Sequence, residues 1–401
     1  MGLILISHDR PEPALYGAIA GAAAMRLGAR LMHLPARFDT ARYADAVQHV
    51  TAGGTLVPSG LVWGERLGGA PTEAPSSPAE IAAAAATGMV LLPINPGVDP
   101  DAIVAAAGGG SVRRLAVVEE HGAFLLIDEA GALDTRAGRW RRDRLGRLDA
   151  ADLAADGSTA PALVIALVGT EDDHRNVYPA ALTSLADAAE AAGFRLEPVF
   201  LPPQALDAAG MRAALTAADG VLLPGGADMA NVAGQIAAAH AALDLGVPAV
   251  GLCLGMQTMT TAVAQRALGA ASANLAEADP DAPVKTFVPI AADGTVHRLG
   301  DRTIRTEPGT RLSRLLGPEA TIRCNHRYRL APDLEAPLAA AGLRVAARGE
   351  GGTIIDAVEL TGDVFYAGMQ GHPELSSRRG APHPLLAAFI AACTAHRADQ
   401  A

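Results

Sequence analysis

The sequence predicts an α/β protein: a doubly wound, mostly parallel sheet preceded by a smaller α/β domain. Three observations carry that reading. From residue 161 onward, apolar runs of strand length alternate with helix-forming runs, and crossovers of that length require parallel strands. Near the middle of this region, residues 247–257 read VPAVGLCLGMQ, a buried strand end, a Gly-flanked turn and a helix start. Ahead of it lies a shorter set of strands and helices separated by turn residues.

In chain order, residues 2–7 predict a buried strand and 13–27 an Ala-rich helix starting at a proline. A short strand is expected at 30–34 and a helix at 43–50, followed by a Gly-, Pro- and Ser-rich loop over 51–78. Residues 89–94 predict a strand, with turn residues Asn95, Pro96 and Gly97 and a helix over 100–107 that Gly108, Gly109 and Gly110 would end. The runs 114–119 and 123–128, joined across His121-Gly122, predict a hairpin. Residues 1–135 thus form the small domain, of unassigned role. The arginine-rich stretch that follows, with Arg139, Arg141, Arg142, Arg144 and Arg147, reads as a solvated linker or surface helix over 136–160.

The second domain, 161–396, predicts strands at 163–168, 196–201, 220–223 and 247–252, with helices at 179–192, 211–217, 232–245 and 257–268. Strands at 353–359 and 364–369 and a helix at 384–395 complete it.

Composition limits the function classes. A net charge of −11 with no basic stripe argues against a nucleic-acid partner. Aromatics make up 3% of a chain that is 50% hydrophobic, so Ala, Val and Leu must build the core. Cys253, Cys324 and Cys393 have neither disulfide nor metal-ligand spacing. No leader or apolar run of membrane-spanning length is visible, so a cytoplasmic protein without membrane partner, metal or cofactor is expected. Self-association is left open.

The chemistry centres on Cys253. A thiol between Gly251 and Gly255, between strand and helix, has the form of a nucleophile elbow, and the helix N-terminus favours its thiolate. Such a nucleophile needs a base and an orienting group. Gly371-His372-Pro373-Glu374 follows the strand-like VFYAGMQ, at the carboxyl end where open α/β sheets place their sites. His372 would serve as base and Glu374 would orient it. The amides of Leu254 and Gly226, the latter in the turn after the strand VLL, would stabilise an oxyanion.

These residues resemble the class I glutamine amidotransferases, and within them the glutaminase domain of CTP synthase. The likeness covers roughly 161–395 and includes IALVG (165–169), LPGGADMANVAGQIAAA (223–239), VGLCLGMQ (250–257), ANLAEADPDAPV (273–284), GTVHRLG (294–300), HRYRL (326–330) and GMQGHPELSSR (368–378). The resemblance implies that Cys253 forms a γ-glutamyl thioester, with His372 as general acid and base. It also implies that Gln257, Glu277 and Arg327 recognise glutamine. Arg327 suits a bidentate grip on an α-carboxylate and Glu277 a pairing with the α-ammonium.

The departures are informative. The family lid Gly-Gly-Phe-Gly-x-Arg-Gly-x-Glu-Gly here reads Gly-Gly-Ala-Asp-Met-Ala-Asn-Val-Ala-Gly (225–234), with Ala227, Ala230 and Ala233 at the aromatic, Arg and Glu positions. His297 replaces the Met of Gly-Thr-Met-Arg-Leu-Gly. GTP activation is therefore not expected. A P-loop cannot precede Lys285, the only lysine, so the ATP-dependent amidoligase domain is expected to be absent. The expected activity is release of ammonia from glutamine for an acceptor site or a partner synthetase, in specialised metabolism. Two alternatives stand beside it: a γ-glutamyl hydrolase-like amidase, and a non-catalytic regulatory module keeping the fold.

Overall fold

The computed structural model describes residues 2–95, 100–106, 111–151, 159–290 and 296–400. It divides into two compact units, Met1–Ser158 with Asp172–Thr183, and Thr159–Glu171 with Ser184–Ala401. Among the described residues no helix is long and apolar enough to cross a membrane.

The first unit is built on a seven-stranded sheet whose order, by first residue, is Arg30, Met89, Gly2, Val112, Ala123, Trp140, Leu148. The strand Gly2–Ser7 pairs in parallel with both Met89–Ile94 and Val112–Glu120, and its apolar run GLILIS is buried in the middle. Leu3, Leu5, Val90 and Leu92 meet Ile81 of the helix Pro78–Thr87 in one core cluster. That helix was not anticipated. It begins with a complete capping box, in which Ser77 and Glu80 satisfy each other's backbone N–H groups. The expected hairpin forms between Val112–Glu120 and Ala123–Asp128.

Two expectations for this unit are corrected. Residues 43–50 do not form a helix. Ser59 Oγ donates to the carbonyls of Asp45 and Ala46 at 2.8 and 3.0 Å. His49–Val50 instead pairs antiparallel with Leu56–Val57. The segment 136–160 is not all linker: Trp140–Arg142 and Leu148–Ala150 form a hairpin that extends the sheet. Asp143 holds its turn, accepting from the amides of Leu145 and Arg147 at 2.9 and 2.8 Å and from Arg147 Nε at 2.7 Å. Arg142 Nη1 donates to Asn176 Oδ1 at 3.0 Å, and Val177 shares a core cluster with Tyr43 and Ala46, which places 172–183 with the first unit. The proposed turns at Pro96-Gly97 and Gly108-Gly110 lie outside the described residues.

The second unit is built on a nine-stranded sheet, ordered by first residue Arg195, Ala162, Gly220, Ala249, Tyr366, Ile354, Leu343, Arg298, Glu319. The first five strands are parallel, as alternation with helices requires. The remaining four, joined by shorter connections, are antiparallel. The mostly parallel sheet is thus a mixed one. Arg298–Thr306, Glu319–His326 and Leu343–Gly349 were not read from the sequence, because each interleaves buried with part-exposed positions instead of running apolar throughout. The core packs Val221, Leu223, Ala249 and Tyr366 against Met256 and Met259.

Candidate active site

The strand Ala249–Leu252 is buried at every position and lies between the parallel strands Gly220–Leu223 and Tyr366–Met369. Its chain turns into the helix Leu254–Leu268 through Cys253 alone. Cys253 has φ 49° and ψ −106°, and only His121 and Glu350 share a positive φ among the described non-glycine residues. Such a conformation costs about 1–3 kcal/mol and persists only where the surroundings enforce it. Here they do. The Cys253 amide donates to Met369 O at 2.8 Å. A Cβ on Gly255 would sit 1.9 Å from Leu223 O, so only glycine lets the helix start this close to the neighbouring strand.

The sulfur is 7% exposed at the residue level and has polar neighbours from two other elements. It lies 3.6 Å from the Asn325 carbonyl, to which the thiol donates. Gln370 Nε2 donates to the sulfur, also at 3.6 Å. Gln370 Oε1 in turn accepts from Gln257 Nε2 at 3.3 Å. A buried amide chain, Gln257 to Gln370 to Cys253, therefore ends with an N–H aimed at the nucleophile. Sequence reading singled out Gln257 but missed Gln370 and Asn325. Gln370 stands in the motif GMQGHPE, between the end of the strand Tyr366–Met369 and His372.

His372 is 4% exposed, and its amide donates to Arg323 O at 2.8 Å. Its Nδ1 lies 2.8 Å from Glu374 Oε1, and Glu374 is fully buried. A carboxylate only accepts, so the Nδ1 proton points to Glu374 and Nε2 is left as the basic nitrogen. Burial alone would depress the imidazole. The charges of Glu374 and Cys253, with the hydrogen bond to Glu374, outweigh it and raise the His372 pKa well above 6.5, while Nε2 has no hydrogen-bond partner among the described residues. Gly225 closes the space on one side: a Cβ there would lie 3.1 Å from His372 Cε1 and 3.3 Å from Cys253 Cβ. The structure thus brings Cys253, His372 and Glu374 together.

The other expected residues fall around this group. Leu254 is the first residue of the helix, so its N–H has no intrahelical acceptor. Gly226 follows Gly225 in the same turn. Gln257 is 4% exposed and its Oε1 is buried without a partner among the described residues. Glu277 and Arg327 are solvent-exposed and interact electrostatically; burial raises the Glu277 pKa and Arg327 opposes it. Arg327 stands two residues beyond Asn325. His297, the departure noted above, has Nε2 2.9 Å from Asn325 Oδ1 and also feels the Arg327 charge.

One further cluster lies in the antiparallel half of the sheet. Cys324, His326 and Asp356 are buried, with potential ligand atoms within 4.8 Å of one another. Arg298, fully buried, already fills the centre. Its Nη1 pairs with Asp356 Oδ1 at 2.5 Å and lies 3.0 Å from His326 Nε2. Burial pushes the Cys324 thiol up to about 12 and, with Arg298, the His326 imidazole down to about 3. A guanidinium, a protonated thiol and a neutral imidazole make a satisfied ion-pair network, and its cation is Arg298.

Comparison with known proteins adds to the geometry. The family described as class-I glutamine amidotransferase matches residues 176–392, more than half the chain. CTP synthase of Thermus thermophilus is 35% identical over 235 residues, covering 55% of this chain and 43% of that protein. CTP synthase of Mycobacterium avium is 36% identical over 254 residues, covering 59% and 43%. The chain therefore spans less than half the length of these relatives. Among solved structures, the glutaminase domain of Trypanosoma brucei CTPS with bound acivicin aligns at a TM-score of 0.55 and 25% identity, covering 58% of this chain and 94% of that one.

Proposed function

Because this chain belongs to the class-I glutamine amidotransferase family, we propose that it hydrolyses the side-chain amide of glutamine through Cys253, His372 and Glu374. The observation that carries the reading is the 2.8 Å contact of His372 Nδ1 with buried Glu374, beside a cysteine held at positive φ. In the first step the Cys253 thiol gives its proton to His372 Nε2, and the thiolate attacks the amide carbon. The tetrahedral oxyanion takes hydrogen bonds from the amides of Gly226 and Leu254. The His372 imidazolium then protonates the departing nitrogen, the C–N bond breaks, and ammonia leaves a γ-glutamyl thioester. Water gives a proton to His372 and attacks the thioester, returning glutamate and the free thiol.

Gln370 Nε2, which donates to the Cys253 sulfur, would steady the thiolate formed in the first step. Arg327 would take the substrate α-carboxylate and Glu277 the α-ammonium, while the unmatched Gln257 Oε1 offers an acceptor. Ammonia would pass to an acceptor bound by the first unit or by a partner synthetase. Lid residues Ala227 and Ala230 are exposed and small where the related motif carries an aromatic and an arginine. That favours a second reading, hydrolysis of a bulkier γ-glutamyl amide. It also removes the basis for a GTP response.

Ammonia release from glutamine by the purified full chain, with and without GTP, ATP and UTP, tests the proposal. Glutamine turnover lost in Cys253→Ala, with no several-fold GTP response and no CTP formed, is the expected result. Turnover that survives Cys253→Ala would refute the triad, and faster turnover of a bulkier γ-glutamyl amide than of glutamine would favour the second reading.

A further inference from the structure

The first unit contains a cavity that the glutaminase chemistry does not use. Its volume is about 230 Å³, room for roughly eight waters at ~30 Å³ each. Ile6 and His8 reach it from the end of Gly2–Ser7, and Pro93, Ile94 and Asn95 from the end of Met89–Ile94. These two strands are parallel neighbours, and the carboxyl ends of such strands are where open α/β sheets bind ligands. The volume falls below the usual range for drug-sized ligands, so the cavity suits a compact molecule and not a dinucleotide.

The wall decides the chemistry. The whole chain has 7 Phe, 5 Tyr and 2 Trp, yet Tyr16, Phe38 and Tyr43 all line this one cavity. Tyr16 and Phe38 meet edge to face at 5.8 Å between centroids. Arg10, Arg37 and Arg42 line it too, against a single acid, Asp39. Arg10 is neutralised by Glu12 at 2.7 Å and Glu119 at 2.9 Å. Asp39 is engaged by the amides of Ala41 and Arg42 at 3.1 and 3.4 Å. Arg42 lies 4.8 Å from the Tyr43 ring centroid. Arg37 is exposed, and among the described residues its guanidinium has no ion pair or hydrogen bond; only its carbonyl is held, by Asn95 Nδ2 at 2.9 Å. In the same wall, His8 Nδ1 accepts the Arg10 amide at 2.9 Å, which puts the ring proton on Nε2, a buried donor without a partner among the described residues. Donors thus outnumber acceptors here, in a chain whose net charge is −11.

We propose that this cavity binds a small aromatic anion, one planar ring carrying a carboxylate or phosphate. Arg37 and Arg42 hold the anionic group through charge-assisted hydrogen bonds, and Tyr16, Phe38 and Tyr43 enclose the ring. The site stands independently of the glutaminase reading, because every lining residue belongs to the first unit.

Isothermal titration calorimetry of the full chain with benzoate, phenyl phosphate, inorganic phosphate and neutral benzamide tests it. One of the two aryl anions should bind with one-to-one stoichiometry, at least tenfold more tightly than inorganic phosphate or benzamide. Which of the two wins separates carboxylate from phosphate ligands. Arg37→Gln combined with Arg42→Gln should weaken that binding at least tenfold at an unchanged melting temperature. Arg37→Gln alone, at an exposed position, keeps the test valid if the double variant is unstable, and should weaken binding several-fold. The proposal is overturned if neither aryl anion saturates the protein at millimolar concentration, if benzamide or inorganic phosphate binds as well, or if Arg37→Gln leaves the affinity unchanged.

Discussion

Replacing Glu374 with glutamine tests the proposed triad most sharply, because it removes one charge and almost no volume from a fully buried position. The bond at stake is the 2.8 Å contact to His372 Nδ1. A hydrogen bond to a charged group contributes ~1.5–3 kcal/mol, which at ~1.4 kcal/mol per decade is a factor of about 10–150. A second effect adds to it. Glutamine can present its N–H to Nδ1, which forces the ring proton to Nε2 and leaves no base facing the thiol. In a serine-protease triad the matching substitution costs ~10⁴ in kcat. The expected loss in kcat for glutamine hydrolysis is therefore between about 10² and 10⁴, with the fold retained.

The pH profile gives an independent readout. Burial depresses the His372 pKa, while the charges of Glu374 and Cys253 and the hydrogen bond to Glu374 hold it well above 6.5. The alkaline limb, where the imidazolium paired with the thiolate is lost, should move to lower pH in Glu374→Gln. The stability sign follows the same logic. A raised folded-state pKa stabilises the native state fully below the unfolded value of about 6.5 and loses that contribution as pH rises through the folded value. Glu374→Gln should thus narrow the difference in melting temperature between mildly acidic and alkaline buffer. Ammonia release measured by a coupled assay from pH 6 to 10 decides the matter. A loss below tenfold with an unmoved alkaline limb would refute the assignment of Glu374.

Three further outcomes are expected. A glutamine-like electrophile such as a diazoketone should label Cys253 and spare Cys324 and Cys393, whose thiols burial holds protonated; mass spectrometry showing even labelling of all three would count against an activated Cys253. Gly225→Ala, with its new methyl 3.1 Å from His372 Cε1 and 3.3 Å from Cys253 Cβ, should cut kcat by ~10²-fold through misplacement of the dyad, and steady-state kinetics with a thermal melt separate this from unfolding. Arg298→Met leaves Asp356 buried without its cation and should destabilise the second unit by ~3–5 kcal/mol, read as a lower midpoint in urea unfolding.

The parts of the site that are local in sequence were legible in it. Gly251, Cys253 and Gly255 announce a strand-turn-helix, and His372-Pro373-Glu374 announces a base with its orienter, because each cluster spans a few residues. Gln370 and Asn325 were not legible. Their roles depend on which way a side chain or carbonyl points across neighbouring strands, and no local pattern encodes that. The fold shows the same division. Parallel strands buried on both faces, such as Ala249–Leu252, announce themselves by continuous apolarity, whereas Arg298–Thr306 carries Arg, Asp and Thr on alternate positions. Residues 43–50 have apolar spacing that suits a helix, but the Ser59 hydroxyl folds back onto two carbonyls and His49–Val50 pairs with Leu56–Val57, contacts no local pattern encodes. The helix Pro78–Thr87 was missed although Ser77-Pro78-Ala79-Glu80 spells its capping box. The composition of the preceding loop masked it.

The pairing of the Ala249–Leu252 and Tyr366–Met369 strands has a consequence for how activity arises during synthesis. Cys253 and Gln370 touch, yet 117 residues separate them along the chain, and all four antiparallel strands are made inside that interval. A ribosome releases the thiol, its strand and its helix long before the strand that brings His372. Until that later strand slots in beside Ala249–Leu252, the growing polypeptide holds a cysteine with no base next to it. With the proposed triad, onset of glutamine breakdown waits for Tyr366–Met369, the last of the five parallel strands to be made. Non-local pairing of this kind is slow to form, so recovery of ammonia release after dilution from denaturant should lag behind recovery of helical signal.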